Sequence, residues 1–279
     1  MNTLKIIILF TIFTIGGNNL IGQYSSSNLE EALKDPNNAT KLSVYGDANF
    51  DLNIILKFPN LEVLKISNCD LNEVPNQILG LSKLTHLDLS ENNLEQIPKI
   101  LFSKFRLLRE LNLQHNKLIE IPKDLYKLDN LESLVLGFNK IATLPDNITM
   151  LINLESLSMD GCPIEKLPKG IEKLEKLQYL FLWSTRVRTL PLNIGKLENL
   201  ESIAITWEII NNLPESFTEL KNLKRLTICT SDTEKLACFV NEFPKLEYLN
   251  LWNSNIDKLP KSLVKRNGLE ILLNGEPIK

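Results

Sequence analysis

The chain reads as an α/β solenoid, a stack of short strand-and-helix units, on three observations. A motif of the form LxxLxLxxNxLxxLP recurs from Leu61, Leu84, Leu108, Leu131, Leu154, Leu177, Leu200, Leu223 and Leu246. These nine units are 23 residues long except the second, which has 24. Within each, two apolar residues stand one residue apart, the period of a strand with one buried face. The apolar 43% of the chain falls largely at these fixed positions. Self-similarity at such a period marks units that bury their apolar faces only against neighbours.

The elements follow in order. Residues 1–22 carry Lys5, then the ten-residue apolar run Ile6–Ile15, then a small and polar exit at Gly16–Gly22. That is the layout of a secretory signal peptide, and ten apolar residues are too few to span a bilayer. Residues 23–60 should cap the first tip. Ser27-Asn-Leu-Glu30 reads as a capping box opening a helix that Asp35-Pro36 stops, and an irregular unit, Ala39–Asn60, follows with Leu42 and Val44 on its strand. The nine regular units fill residues 61–268. In the unit from Leu131 to Asn153, Leu134 and Leu136 point inward while Ser133, Val135 and Gly137 point out. Asn139 can donate to and accept from backbone in the turn, Ile141 and Leu144 return the chain inward, and Pro145 breaks it before a short helical or 3₁₀ segment. Strands of successive units then pair in parallel. At residues 269–279 a stub begins a tenth strand with Leu269 and Leu272 that Asn274-Gly275 ends; its open edge needs cover from the tail or a partner.

These motifs resemble the short LPxxI/L-type repeats of the leucine-rich repeat family, across about residues 39–273. The resemblance implies a right-handed, curved horseshoe with the parallel sheet on its concave face and helical segments on the convex one. The longer unit, with Pro98, Phe102 and Phe105, resembles the 24-residue form of extracellular members, its extra residue absorbed on the convex side. The family pattern also accepts Cys at the ladder position that Asn92, Asn116 and Asn139 occupy, which accounts for Cys69 and Cys162. Thr185, Ser231 and Ser254 stand there in later units. Glu208 is the odd occupant, and a bulge over Trp207–Asn212 would let it reach solvent. Ala237 replaces the usual Pro in unit eight and should loosen its convex turn.

Bulk properties remove several function classes. A formal charge of −3, from 31 basic and 34 acidic residues, lacks the basic footprint of nucleic-acid binding. No nucleophile–base–orienter set, glycine-rich phosphate loop or HExxH is present, so neither catalysis nor a cofactor is expected. Cys69 and Cys162 lie four strand spacings apart, roughly 19 Å at about 4.8 Å each. A disulfide needs Cα atoms about 4.4–6.8 Å apart. Cys229 falls on the strand of unit eight and Cys238 on its convex side, so four free thiols are expected. Asn38-Ala-Thr40 and Asn147-Ile-Thr149 match the glycosylation sequon.

Function should therefore reside on the outward-facing strand positions. Units one to three place Lys65, His86, Asp88, Glu91, Glu110, Asn112, Gln114 and His115 there, a polar half. His86 falls beside Glu110 and His115 beside Glu91, each pair able to form a charged hydrogen bond across strands as pH falls. Two pairs in different rows do not make a metal site, which needs three or four converging ligands. Units four and five are small apart from Phe138. Units six to nine carry Tyr179, Phe181, Trp183, Trp207, Tyr248 and Trp252 over small residues, with Arg225 the one long cation among them. Trp183 and Trp252 are equivalent positions, roughly 14 Å apart by strand spacing, and could wall a shallow cleft. Aromatic residues and Arg are favoured at binding hot spots. The expectation is an exported, non-catalytic scaffold that binds a protein or peptide in this cleft. A structural envelope spacer, or glycan binding through the tryptophans, is the alternative.

Overall fold

The computed structural model describes residues 28–206, 212–229, 232–252, 254, 256 and 259–278. The signal peptide read at residues 1–22, Ser27, Trp207, Glu208 and Ser231 lie outside them. The described residues form a single curved solenoid. Its sheet runs in unbroken chain order: β1 (Lys41–Tyr45), β2 (Val63–Ser67), β3 (His86–Asp88), β4 (Glu110–Asn112), β5 (Ser133–Val135), β6 (Ser156–Ser158), β7 (Tyr179–Phe181), β8 (Ser202–Ile205), β9 (Arg225–Ile228), β10 (Tyr248–Leu251), β11 (Glu270–Leu273) and β12 (Glu276–Pro277). Every pairing is parallel except the last, between β11 and β12. Register follows the repeat: His86 pairs with Glu110 at the 24-residue unit, and Glu110 with Ser133 at the next.

The alternation works as its period requires. Leu64, Ile66, Leu134, Leu136, Leu180 and Leu182 are fully buried, and each such side chain contributes roughly 1.5–3 kcal/mol by leaving water. On the convex side the prolines set the turns. Pro75, Pro122, Pro145 and Pro214 have extended backbone and immediately precede 3₁₀ segments, and their carbonyls accept the first bond of each from Ile78, Leu125, Ile148 and Phe217. Proline suits that place because its missing N–H would have no partner there anyway. The longer second unit has an α-helix at this point, α2 (Lys99–Lys104). An α-helix rises about 1.5 Å per residue and a 3₁₀ about 2.0 Å, so six α residues span nearly what five 3₁₀ residues do. The extra residue disappears into that difference.

Two asparagine ladders bond backbone carbonyls from unit to unit, the first in the interior and the second on the surface. In the turn, Asn116 Nδ2 donates to Leu89 and Leu113 carbonyls at 2.9 and 3.0 Å while its Oδ1 accepts from Leu94 N at 3.0 Å. Asn92 and Asn139 repeat this arrangement. Cys162 Sγ donates to the Leu136 carbonyl at 3.2 Å, the bond an asparagine would make there. The second ladder lies just before each strand, where Asn130, Asn153, Asn199 and Asn222 donate to carbonyls of Arg106, Asp129, Glu175 and Glu198 at 2.7–2.8 Å. The repeated Asn-Leu-Glu and Asn-Leu-Lys triplets were its sequence sign.

The ends differ from expectation in detail. Helix α1 (Leu29–Ala32) is one turn, and its N-cap is Asn28 without a capping side-chain bond. Asn28 instead clasps the outer edge of β1, donating to the Lys41 carbonyl at 3.0 Å and accepting from Ser43 N at 2.9 Å. The edge strand's unpaired groups outcompete a cap. In unit eight the loss of Pro does not loosen the turn. It permits α3 (Thr233–Val240), the longest helix among the described residues, started by Asp232 Oδ1 accepting from Lys235 N at 2.9 Å. Phe217 and Phe243 meet edge to face beneath it, ring centroids 5.5 Å apart at 90°. A further turn, α4 (Lys261–Val264), leads to β11. There the register runs one residue short of the 23-residue repeat. Ile271 and Leu273 pair with Leu249 and Leu251, so the tenth strand is not set by Leu269 and Leu272. The tail then folds back: Asn274 and Gly275 both have positive φ, 53° and 90°, and turn the chain into β12. That geometry suits the Asn-Gly pair of a two-residue hairpin. Proline and glutamate in β12 blunt the new edge.

Candidate functional site: the concave face

Successive strands bring the outward residues into straight rows. The first row runs His86, Glu110, Ser133, Ser156, Tyr179, Ser202, Arg225, Tyr248, and the middle row Asp88, Asn112, Val135, Ser158, Phe181, Ala204, Thr227. A third row, just past the strands, holds Gln114, Gly137, Asp160, Trp183, Thr206, Cys229 and Trp252. Beyond it Glu91, His115, Phe138 and Ser184 take positive φ of 52–57°, with Gly161 at 69°, as the chain turns into the loop.

In the polar half, His86 Nε2 lies 3.4 Å from Glu110 Oε1, and Thr85 Oγ1 meets its Nδ1 at 2.7 Å. The hydrogen bond from His86 holds the Glu110 carboxyl below the usual range. Asp88 and Asn112 turn back on their own strands, accepting from Ser90 N and Gln114 N at 2.9 and 3.0 Å. The second expected pair takes a different form. His115 stacks flat on Phe138, ring centroids 4.4 Å apart and 4° from parallel. Burial pushes its pKa down, with Glu91 opposing, so the stack governs this imidazole more than the carboxylate. Phe138 thus belongs with the polar half. Its ring occupies the space where Gly161 has no side chain, since a Cβ there would stand 2.6 Å from Phe138 Cδ1.

Units six to nine form the aromatic half. Tyr179 and Phe181 stack on alternate positions of β7, centroids 6.4 Å apart. Both are half-buried, as are Trp183, Tyr248 and Trp252, while Arg225 is exposed. The floor beside them, Ser202, Ala204 and Thr206, is buried. Register carries Phe181 through Ala204 and Thr227 to Asn250, so Trp183 and Trp252 stand at matching heights three strands apart. Trp252 is not a free-standing wall. Its ring packs on the C-terminal hairpin turn, where a Cβ on Gly275 would lie 3.1 Å from Cζ3. Burial and Glu270 raise the Tyr248 hydroxyl pKa, and Arg225 beside it opposes them.

Sequence reasoning passed over Asp160 as one of the small central residues. Its Oδ1 accepts from Trp183 N at 2.6 Å and its Oδ2 from Ser158 Oγ at 3.4 Å. Burial raises its carboxyl to about 7. The signal was available: Phe181 stands where Asp88 and Asn112 accept the third-row N–H of their own units, and a phenyl ring cannot accept it. The acid of the preceding unit does so instead.

Other expectations concern thiols, metals and sequons. All four cysteines are described and none is bridged to another; Cys69 and Cys162 are buried, Cys238 is exposed on α3, and Cys229 falls just past β9. Among the described residues no three His, Cys, Asp or Glu side chains are grouped to hold a metal ion, and no helix is long and apolar enough to cross a membrane. Asn147 donates to the Lys123 carbonyl and Thr149 is buried, whereas Asn38 is exposed.

Four leucine-rich repeat models match this chain: a leucine-rich repeat region over residues 169–265, and further repeats over 59–118, 106–149 and 153–174. The described solenoid is a leucine-rich repeat domain. Among characterised proteins it is similar to volume-regulated anion channel subunit LRRC8D of Rattus norvegicus, 38% identical over 98 residues. The same holds for LRRC8A of Homo sapiens, 38% over 101 residues. Those matches take in 34% and 36% of this chain but only 11% and 12% of the relatives. Among solved structures, the Leptospira interrogans LRR protein LIC12759 shares the fold at 24% identity and a TM-score of 0.62, covering 90% of this chain and 82% of that one. The LRR ectodomain of the Arabidopsis thaliana membrane receptor kinase GASSHO1/SCHENGEN3, solved in complex with Casparian strip integrity factor 2, matches at 26% identity. Its TM-score is 0.61, over 86% of this chain and 30% of that one.

Proposed function

We propose that this is an exported, non-catalytic recognition protein whose concave face captures a protein or peptide. The observation that carries the reading is two groups of half-buried aromatics, Tyr179, Phe181 and Trp183 at β7 and Tyr248 and Trp252 at β10, which flank the buried small residues Ser202, Ala204 and Thr206. Aromatics grouped about a concave floor mark a contact site more often than scattered exposure does. Large rigid rings also lose little entropy on binding. The plant ectodomain, a repeat solenoid solved in complex with Casparian strip integrity factor 2, supports a protein or peptide partner. Export rests on the apolar stretch after Lys5.

The test is capture from the native exported fraction with wild type and a Trp183→Ala variant. Trp183 should behave as a hot spot of about 2 kcal/mol or more, roughly thirtyfold in affinity. Melting should barely change, because a half-exposed ring carries little of the core. Equal capture by both proteins would favour a spacer. Retention on a glycan column, lost with Trp183→Ala, would redirect the reading to sugars.

A further inference from the structure

The middle of the concave face carries one charge. From unit four to unit seven the outward positions are Ser133, Val135, Gly137, then Ser156, Ser158, Asp160, then Tyr179, Phe181, Trp183, then Ser202, Ala204, Thr206. Asp160 is the single charged residue in this stretch, and it stands where the polar half meets the aromatic half. On one side Gly137 offers no side chain, and a Cβ there would already touch the Asp160 backbone oxygen at 3.0 Å. On the other rises Trp183, whose N–H Asp160 Oδ1 accepts. Oδ2 has only the long 3.4 Å bond from Ser158. A carboxylate so placed is under-compensated, and removing a charge from water without a partner is costly.

We infer that Asp160 and the Trp183 ring form a subsite for one cationic side chain, lysine or arginine, of the bound partner. The inference rests on the concave-face reading above. Charge complementarity selects the class: a cation supplies what the bonds from Trp183 N and Ser158 do not, and the half-buried indole of the residue whose backbone the carboxylate holds suits an ammonium or guanidinium stem. An anionic partner residue would meet an uncompensated acid.

The subsite is proton-linked. The groups around Asp160 are Gly137 and Phe138 of unit four, Ser158 and Cys162 of its own unit, and Phe181 and Trp183 of unit six. Cys162 alone among these neighbours titrates, and burial pushes its thiol up to about 11, so it stays neutral. His115 lies farther off, stacked on Phe138. Asp160, raised to about 7, is largely ionised at pH 8 and largely protonated at pH 6, so the form that holds a cation falls about tenfold between them.

The probe is a random decapeptide phage library selected at pH 8 on the full-length chain, with each binder then measured on Trp183→Ala and Asp160→Asn. Asparagine keeps an acceptor for Trp183 N, and its melting curve checks folding. Binders should share a Lys or Arg at one position, lose tenfold or more on Asp160→Asn, and weaken about tenfold on wild type from pH 8 to 6. The wild-type pH series stands even if the variant folds poorly. Binders that need Trp183 but share no cationic position, or bind equally at both pH values, would overturn the Asp160 subsite alone. If no binder depends on Trp183, the concave-face reading fails with it.

Discussion

Asn116 closes four backbone contacts in the solenoid, three as donor and one as acceptor. Asn116→Ala should therefore destabilise the protein by about 3 kcal/mol, since each buried group left without a partner costs about 1–3 kcal/mol. A thermal or urea melt reads this directly. The turn asparagines were legible because they recur at a fixed place in the motif. Asp160 was not, because its role comes from the next unit: a phenylalanine at position 181 removes an acceptor and leaves Trp183 N to its neighbour. Linkage gives it a measurable sign. With the folded carboxyl raised to about 7, the native state keeps a proton that the unfolded chain releases near the ordinary value of 3.8. Its contribution is full below about pH 4 and is lost as pH rises through 7. Asp160→Asn should become progressively more stable relative to wild type between pH 4 and 7, with the difference level above that, as melts across that range would show.

The elements obey the repeat in the middle of the chain and depart from it at the ends. Prolines at the motif's last position start the convex turns, as their spacing indicated, and α2 absorbs the extra residue of unit two. The helix at Thr233–Val240 is not legible from the repeat, in which a missing proline predicts only a looser turn. Without it, backbone N–H groups are available and a longer helix forms. The one-residue change of register at β11 was hidden because Leu269 and Leu272 keep the repeat spacing while Ile271 and Leu273 hold the paired positions. The Asn-Gly turn that closes the sheet was readable, its contact with Trp252 was not. Gly275→Ala should cost about 1–2 kcal/mol locally, because a side chain at φ 90° is strained and its Cβ crowds Cζ3. Hydrogen exchange should report faster opening of β11 with little change in the central strands.

At the scale of the molecule, stability is a sum of neighbouring contacts along one axis. No disulfide ties the described units together, so the melting temperature should be the same with and without a thiol reductant; a fall on reduction would reveal a bridge. The same one-dimensional order turns a sequence repeat into a surface with distinct halves. A polar half with His86 paired to Glu110 meets an aromatic half based on β7 and closed by the hairpin at Asn274-Gly275. The concave rows could be read from the period of two. Which side chains clasp one another across them, His115 on Phe138 or Trp252 on Gly275, depends on backbone turns that the period does not encode.

The central claim is that this face, and not the convex one, holds the partner. Leu192 is 80% exposed on the convex side and provides the contrast. Affinities of the selected peptides for wild type, Trp183→Ala and Leu192→Ala, measured by surface plasmon resonance at pH 8, test it most directly. Loss of roughly thirtyfold with Trp183→Ala and none with Leu192→Ala is the expected result; the reverse pattern, or equal binding by all three, would contradict it.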